Sequence, residues 1–184
     1  MIETILGTFG AAEAGQVAIL AVAALAFLPV PDVDLWMIRL LHHRSILTHS
    51  VLWPFLVLWF AAPLGLSPEQ GVAAAAGAGL GVAVHLAADL LSPSRGYGRI
   101  WWPEPFQRSL GRWSRPWILG NGVAAAGLAF LWVPEGLRMA ALGVGAVAAL
   151  GYGIRRERSM LSAAVALGVV MGAYAAAEWW RGIG

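Results

Sequence analysis

Six apolar runs of 16 to 21 residues, broken by short segments that carry Arg or Pro, constrain this 184-residue chain more than any other feature. A helix of about 20 apolar residues matches the roughly 30 Å hydrocarbon core of a bilayer, so each run reads as a candidate span. The runs are Gly15–Val30, Ile46–Leu66, Gly71–Leu91, Trp117–Val133, Leu137–Gly153 and Met160–Trp180. Composition agrees: 59% of residues are hydrophobic and 12% charged, and the mean hydropathy is +0.71. A soluble domain carries about 25% charged residues. The expected fold is therefore all-α: a polytopic membrane protein with six transmembrane helices in a single domain, residues 1–184. Soluble enzymes, disordered tails and nucleic-acid-binding domains are excluded as readings, and no nucleic-acid partner is expected.

The first run has Glu3 and Glu13 before it and no basic segment or Ala-x-Ala cleavage site, so it reads as a retained helix, with residues 1–13 as an interfacial helix. Arginine supplies all the basic charge, since the chain has no Lys. Arg39, Arg44, Arg95, Arg99, Arg108, Arg112, Arg115, Arg155, Arg156 and Arg158 fall in the first, third and fifth connections, against Arg138 and Arg181 on the other side. By the positive-inside rule the odd connections are cytoplasmic and both termini face outward. Trp101, Trp102, Trp113, Trp117, Trp132, Trp179 and Trp180 stand where interfacial aromatic belts are expected. The third to sixth runs are rich in Ala and Gly, and Gly77/Gly81 has the small-xxx-small spacing that lets helices approach closely. No internal repeat supports an inverted-repeat transporter. The polar segment Ser92–Arg115, with three prolines and paired Trp, reads as an ordered loop against the membrane.

Ionisable residues are costly inside a membrane and mark functional sites by default. Here they are His49 in the second run and His85 and Asp89 in the third. The i, i+4 spacing of His85 and Asp89 sets imidazole and carboxylate on one helical face. His85 stands about 9 Å short of the end of its run, within reach of a wet cleft. Asp32 and Asp34, just after the first run, and His42 and His43, ahead of the second, come to the same side. Three separate segments thus deliver His and Asp to one membrane face, a donor set suited to Zn²⁺, Mn²⁺ or Fe²⁺. The absence of Cys excludes thiolate ligands and disulfides. Each residue also has a plainer reading: interhelical hydrogen bonds for the buried His and Asp, helix capping for Asp32 and Asp34, an interfacial position for His42 and His43. Arg44 and Arg95 are either topology signals or phosphate-binding groups. Thr48 and Ser50 lack a nucleophile motif and read as supporting or packing residues.

Four motifs occur in order: Leu28-Pro29-Val30-Pro31-Asp32-Val33-Asp34, His43-Arg44-x-x-x-Thr48-His49-Ser50, His85-x-x-x-Asp89-Leu90-Leu91-Ser92-Pro93, and Ile100-Trp101-Trp102-Pro103. Over residues 28–105 this series resembles the YdjM family of bacterial and archaeal inner-membrane metal-dependent hydrolases. That family is in turn similar to the all-helical zinc-dependent phospholipase C and single-strand nuclease superfamily. The resemblance implies metal-ligand roles for Asp32, His49, His85 and Asp89, with Asp34 and His43 as further candidates. The family's His-Arg-Gly-x-Thr-His stands one residue longer here and lacks its Gly, which leaves His42, His43 or neither as a ligand. With only four His in the chain, one or two ions are expected, Zn first and Mn or Fe next. The motifs of membrane zinc proteases (His-Glu-x-x-His), rhomboids (Gly-x-Ser-x-Gly) and acid-phosphatase-type lipid phosphatases are absent; Ser94-Arg95 lies downstream of His85–Asp89, in the wrong order for the last.

The function expected from these residues is a metallohydrolase at the cytoplasmic face of a prokaryotic inner membrane, acting on a lipid or isoprenoid phosphate. In this scheme Asp34 or Asp89 accepts a proton, Arg44 and Arg95, joined by Arg99, hold the phosphate, and residues 117–184 support the site. The rival readings are a metal or proton carrier through His49, His85 and Asp89, and a scaffold with a structural metal.

Overall fold

The computed structural model describes residues 10–91 and 99–183. Arg95, and most of the interfacial helix expected over residues 1–13, lie outside the described residues. Among the described residues seven α-helices follow one another: α1 (Ala11–Phe27), α2 (Ile38–Leu41), α3 (Leu52–Ala61), α4 (Pro68–Asp89), α5 (Ser114–Trp132), α6 (Arg138–Gly151) and α7 (Met160–Gly182). A 3₁₀ turn, Val30–Leu35, extends α1, and a π-helical turn, Tyr152–Arg156, extends α6. Among the described residues there is no sheet; two isolated bridges pair Trp101 with Ser45 and Ser109.

The all-α membrane bundle expected from the sequence is what forms, but among the described residues the candidate spans number four rather than six. The helical stretches long and apolar enough to cross a bilayer are Ala11–Leu35, Pro68–Asp89, Glu135–Arg156 and Met160–Gly182. The second expected span, Ile46–Leu66, fails because its first third is not helical: residues 42–51 are turns and bends, and only the ten residues of α3 form a helix. Ten residues rise about 15 Å, half a bilayer core. The fourth, Trp117–Val133, becomes α5, whose first turns carry Ser114, Arg115, Pro116 and Asn121. Both segments have given up apolarity or helix to serve the site.

Helix α4 is the axis of the bundle. It starts sharply, with Ser67 capping the amide of Gln70, the Gln70 side chain reaching back to the Ser67 amide, and Pro68 in the first turn. Of its most apolar window 94% is buried, against 17% for the first span, 39% for the third and 33% for the fourth, so α4 is walled by the other helices. Close approach explains its composition. A Cβ on Gly77 would stand 2.2 Å from the Leu20 carbonyl oxygen and one on Gly81 2.4 Å from that of Ala24, so the expected Gly77/Gly81 pair is the groove that receives α1. Outward, Val22, Leu25, Trp59, Leu64, Val147 and Met171 are exposed, the surface of a bundle that meets lipid rather than water.

The helices run up and down, so the chain has two ends. At one, Arg138 and Arg181 both meet Glu178 (3.2 and 2.8 Å), and Arg181 also donates to the Phe130 carbonyl. At the other, the first, third and fifth connections meet: the Ile46 amide donates to the Trp101 carbonyl (2.9 Å), and the Tyr152 hydroxyl lies 2.8 Å from His85 Nδ1. The arginine-rich connections thus share one end, the one that carries the His and Asp residues.

Candidate metal centre

Four segments build the site. The 3₁₀ turn after α1 brings Asp32 and Asp34; the irregular loop 42–51 brings His43, Arg44 and His49; the last turns of α4 bring His85 and Asp89; and the π turn after α6 brings Tyr152. His49, His85, Asp34 and Asp89 are all at 0% exposure, Arg44 at 1% and Asp32 at 9%.

The loop has no helix to satisfy its backbone, and side chains from α3 and α5 supply partners for it. The Thr48 carbonyl accepts from Trp53 Nε1 (2.8 Å), the His49 carbonyl from Trp117 Nε1 (2.9 Å), and the Val51 amide donates to Asn121 Oδ1 (2.9 Å). Trp117, expected in an aromatic belt, therefore braces the loop from α5. Inside, Asp34 is the loop's anchor: its Oδ2 accepts from the Ser45 amide (2.9 Å) and the Thr48 hydroxyl (2.7 Å), and its Oδ1 is 3.3 Å from His43 Nδ1. Thr48 has the supporting role expected of it, and Ser50 Oγ accepts from the Leu52 amide (3.3 Å) at the entry to α3. His42 and Arg44 hold φ of 57° and 61°, a left-handed backbone unusual for side-chain-bearing residues. It is kept where Arg44 turns inward to donate from Nε to Asp89 Oδ2 at 2.9 Å.

These contacts fix which imidazole nitrogens carry protons. His85 Nδ1 is 2.7 Å from the Leu28 carbonyl, which can only accept, so the proton is on Nδ1 and the lone pair is on Nε2. Thr48 gives its proton to Asp34, so the Thr48 oxygen, 3.1 Å from His49 Nδ1, accepts there, and His49 too presents a bare Nε2. Both Nε2 atoms and Asp89 Oδ1 are buried without a hydrogen-bond partner. An unsatisfied buried polar atom costs about 1–3 kcal/mol, and two imidazole lone pairs facing one carboxylate make a strong demand for a Lewis acid.

The separations fit that demand. Asp89 Oδ2 is 3.6 Å from each Nε2, and Asp32 Oδ1 is 3.7 Å from that of His85. These are too long for hydrogen bonds and close to the roughly 3.3 Å between ligands of a tetrahedral ion bound at about 2.0 Å. Donor atoms of Asp32, His49 and His85 lie within 4.8 Å of one another, as do those of Asp32, Asp34 and His43, so these groups could hold a metal ion and Asp32 is common to both sets. The structure thus brings together Asp32, Asp34, His43, Arg44, His49, His85 and Asp89. Arg44 faces Asp89 rather than an open cleft, and Arg99 is exposed. His42 turns away, toward Glu104 (3.7 Å).

Sequence reasoning missed Tyr152 and Asn121. A polar Asn within an apolar run was the available signal for Asn121; nothing in the local pattern marks Tyr152, which reaches His85 from 67 residues away.

No protein-family model matches the chain, and neither a curated protein nor a solved structure does. The geometry of the site therefore carries the functional reading.

Proposed function

We propose that the protein is a membrane-embedded metal-dependent hydrolase of phosphoesters, with the cluster Asp32, His49, His85 and Asp89 as its metal site. The observation that carries this reading is the pair of buried Nε2 lone pairs, each with its Nδ1 proton committed elsewhere and both facing the same carboxylate. That is the way imidazoles are oriented for a metal. Zn²⁺ suits the donors best, with Mn²⁺ or Fe²⁺ next, and one or two ions are compatible with two donor sets that share Asp32. A divalent ion bound there supplies Lewis acidity, activating water and polarising a phosphoryl oxygen.

The side chains divide the remaining work. Asp89 has one oxygen held by Arg44 and one without a hydrogen-bond partner, and the latter is the proton acceptor of the site. Asp34, committed to Ser45, Thr48 and His43, keeps the loop in register rather than taking a proton. Arg44 is a positioning residue, holding the Asp89 carboxylate against both imidazoles. The resemblance of residues 28–105 to the YdjM family supports hydrolysis, and the position of the site at one end of an apolar bundle favours a lipid or isoprenoid phosphate. The excess of Arg at that end supports a site on the cytoplasmic side of a prokaryotic inner membrane, with both termini outside. A carrier needs a polar path through the bundle, and residues 71–84 of α4, leading away from His85, are only Gly, Ala, Val and Leu.

Plasma mass spectrometry on detergent-purified protein tests the reading. Near-stoichiometric metal is expected, lost in His85→Ala with the protein still monodisperse, and lipid phosphate turnover is lost with it. Equal metal content in the two proteins, or metal without hydrolysis of any phosphoester, overturns the proposal.

A further inference from the structure

The arginine cluster after α6 looks from the sequence like a topology signal, far from the site. The π turn changes that. It carries Tyr152 onto His85 and, four residues later, Arg156 onto the rim of a cleft of about 520 Å³ whose buried end is Asp32. Val30, Val33, Trp36 and Trp53 give this cleft apolar walls. Its volume is that of a pocket for one drug-sized apolar body. Arg156 is exposed, and no hydrogen bond or ion pair ties it among the described residues. A π turn is rare and recurs at functional sites; here, at the end of α6, it joins a residue that touches the donor cluster to a cation at the mouth of the cleft.

We propose that this cleft binds an amphiphile with one apolar chain and a phosphate head, and that Arg156 is the residue that recognises the head. The chain lies along the Val30, Val33, Trp36 and Trp53 walls. The phosphate sits between the Arg156 guanidinium, whose planar fork suits phosphate, and the donor cluster at Asp32. Charge complementarity selects the occupant. With Asp32 committed to the donor cluster, a neutral amphiphile gives Arg156 no counter-charge, and a cationic head is repelled by it. The inference deepens the hydrolase reading and rests on it for the identity of the head as phosphate.

The test is native mass spectrometry of the full chain in detergent, titrated with lysophosphatidic acid and with the monoacylglycerol of the same chain length, followed by a hydrolysis assay on the metal-loaded protein. Arg156→Gln is expected to weaken lysophosphatidic acid binding about tenfold to a hundredfold, the range for a lost hydrogen bond to a charged group. Monoacylglycerol binding stays unchanged in this variant, and Arg156→Lys recovers part of the loss. Arg155→Gln, on the same turn but outside the cleft, leaves both ligands unaffected, whereas Val33→Trp, which fills the cleft, weakens both. Lysophosphatidic acid binding to Arg156→Gln at the level of the unaltered protein overturns the inference, even if the protein hydrolyses phosphoesters. Binding that depends on Arg156 without any hydrolysis overturns the catalytic reading and leaves the cleft as a lipid phosphate site.

Discussion

Residues 71–84 of α4 are all Gly, Ala, Val or Leu, whereas the turn and a half that follows carries His85 and Asp89, yet both stretches are buried to almost the same degree. The same helix solves two problems under the same exclusion of water. In the first stretch the backbone is brought close to α1, and the gain is van der Waals contact, which needs small side chains and tolerates no added atom. In the second, polar atoms are buried at a cost that only partners can offset, and the partners come from α1's extension, the 42–51 loop and the π turn. Packing in one region is decided within the bundle's own periodicity; the other depends on segments that are not regular helix. The two should therefore fail differently when altered.

The largest effect is expected in the packed stretch. Gly81→Val sets a Cβ about 2.4 Å from the Ala24 carbonyl oxygen, a backbone atom that cannot swing aside. The protein should be lost to aggregation on size-exclusion chromatography, while Gly143→Ala, where nothing lies within 4 Å of the new Cβ, should elute as the unaltered protein does. A monodisperse Gly81→Val protein would show that α1 and α4 are not held as closely as the glycines require.

Next in size is Asp89→Ala. It leaves the Arg44 guanidinium, at 1% exposure, without its carboxylate, and breaking a buried pair from one side costs about 3–5 kcal/mol. Thermal unfolding in detergent should fall markedly, and metal should be lost. The double variant Arg44→Met/Asp89→Leu separates the two consequences: stability should return toward that of the unaltered protein, since no charge is then stranded, while metal remains absent. Equal losses of stability in single and double variants would mean that the ion pair is not what Asp89 contributes to the fold.

This division also explains what could be read from the sequence. The i, i+4 pair His85 and Asp89, the Gly77/Gly81 groove and the delivery of Asp32 and His49 to the same end follow from helical spacing and from the cost of charge in a membrane, both local properties of the chain. The span count does not, because hydropathy averages Ile46–Leu66 into one run. The reasons its first residues leave the helix are Trp53, Trp117, Trp101 and Asn121, partners 5 to 70 residues distant or on another segment. Arg44 was legible as a cation near the site, but its burial against Asp89 rests on a positive φ that no composition rule anticipates for Arg. Tyr152 and Arg156 were hidden for the same reason: the π turn that aims them is set by packing at the end of α6.

The smallest effect, and the finest test of that division, is Tyr152→Phe. The ring, 5.4 Å between centroids from His85, keeps its packing, so folding should be unchanged. What is lost is one of two oxygens beside His85 Nδ1; the Leu28 carbonyl at 2.7 Å remains and still fixes the tautomer. Removing an outer partner of a metal-bound imidazole lowers metal affinity about 10- to 100-fold, and with the Leu28 carbonyl still in place the lower end is expected. Competition with a chelator of known affinity measures this directly. An affinity equal to that of the unaltered protein would assign the whole orientation of His85 to the α1 carbonyl and confine the π turn's role to the cleft. A loss larger than that of His85→Ala would instead make Tyr152 a direct partner of the metal, since a group acting only through His85 cannot cost more than His85 itself.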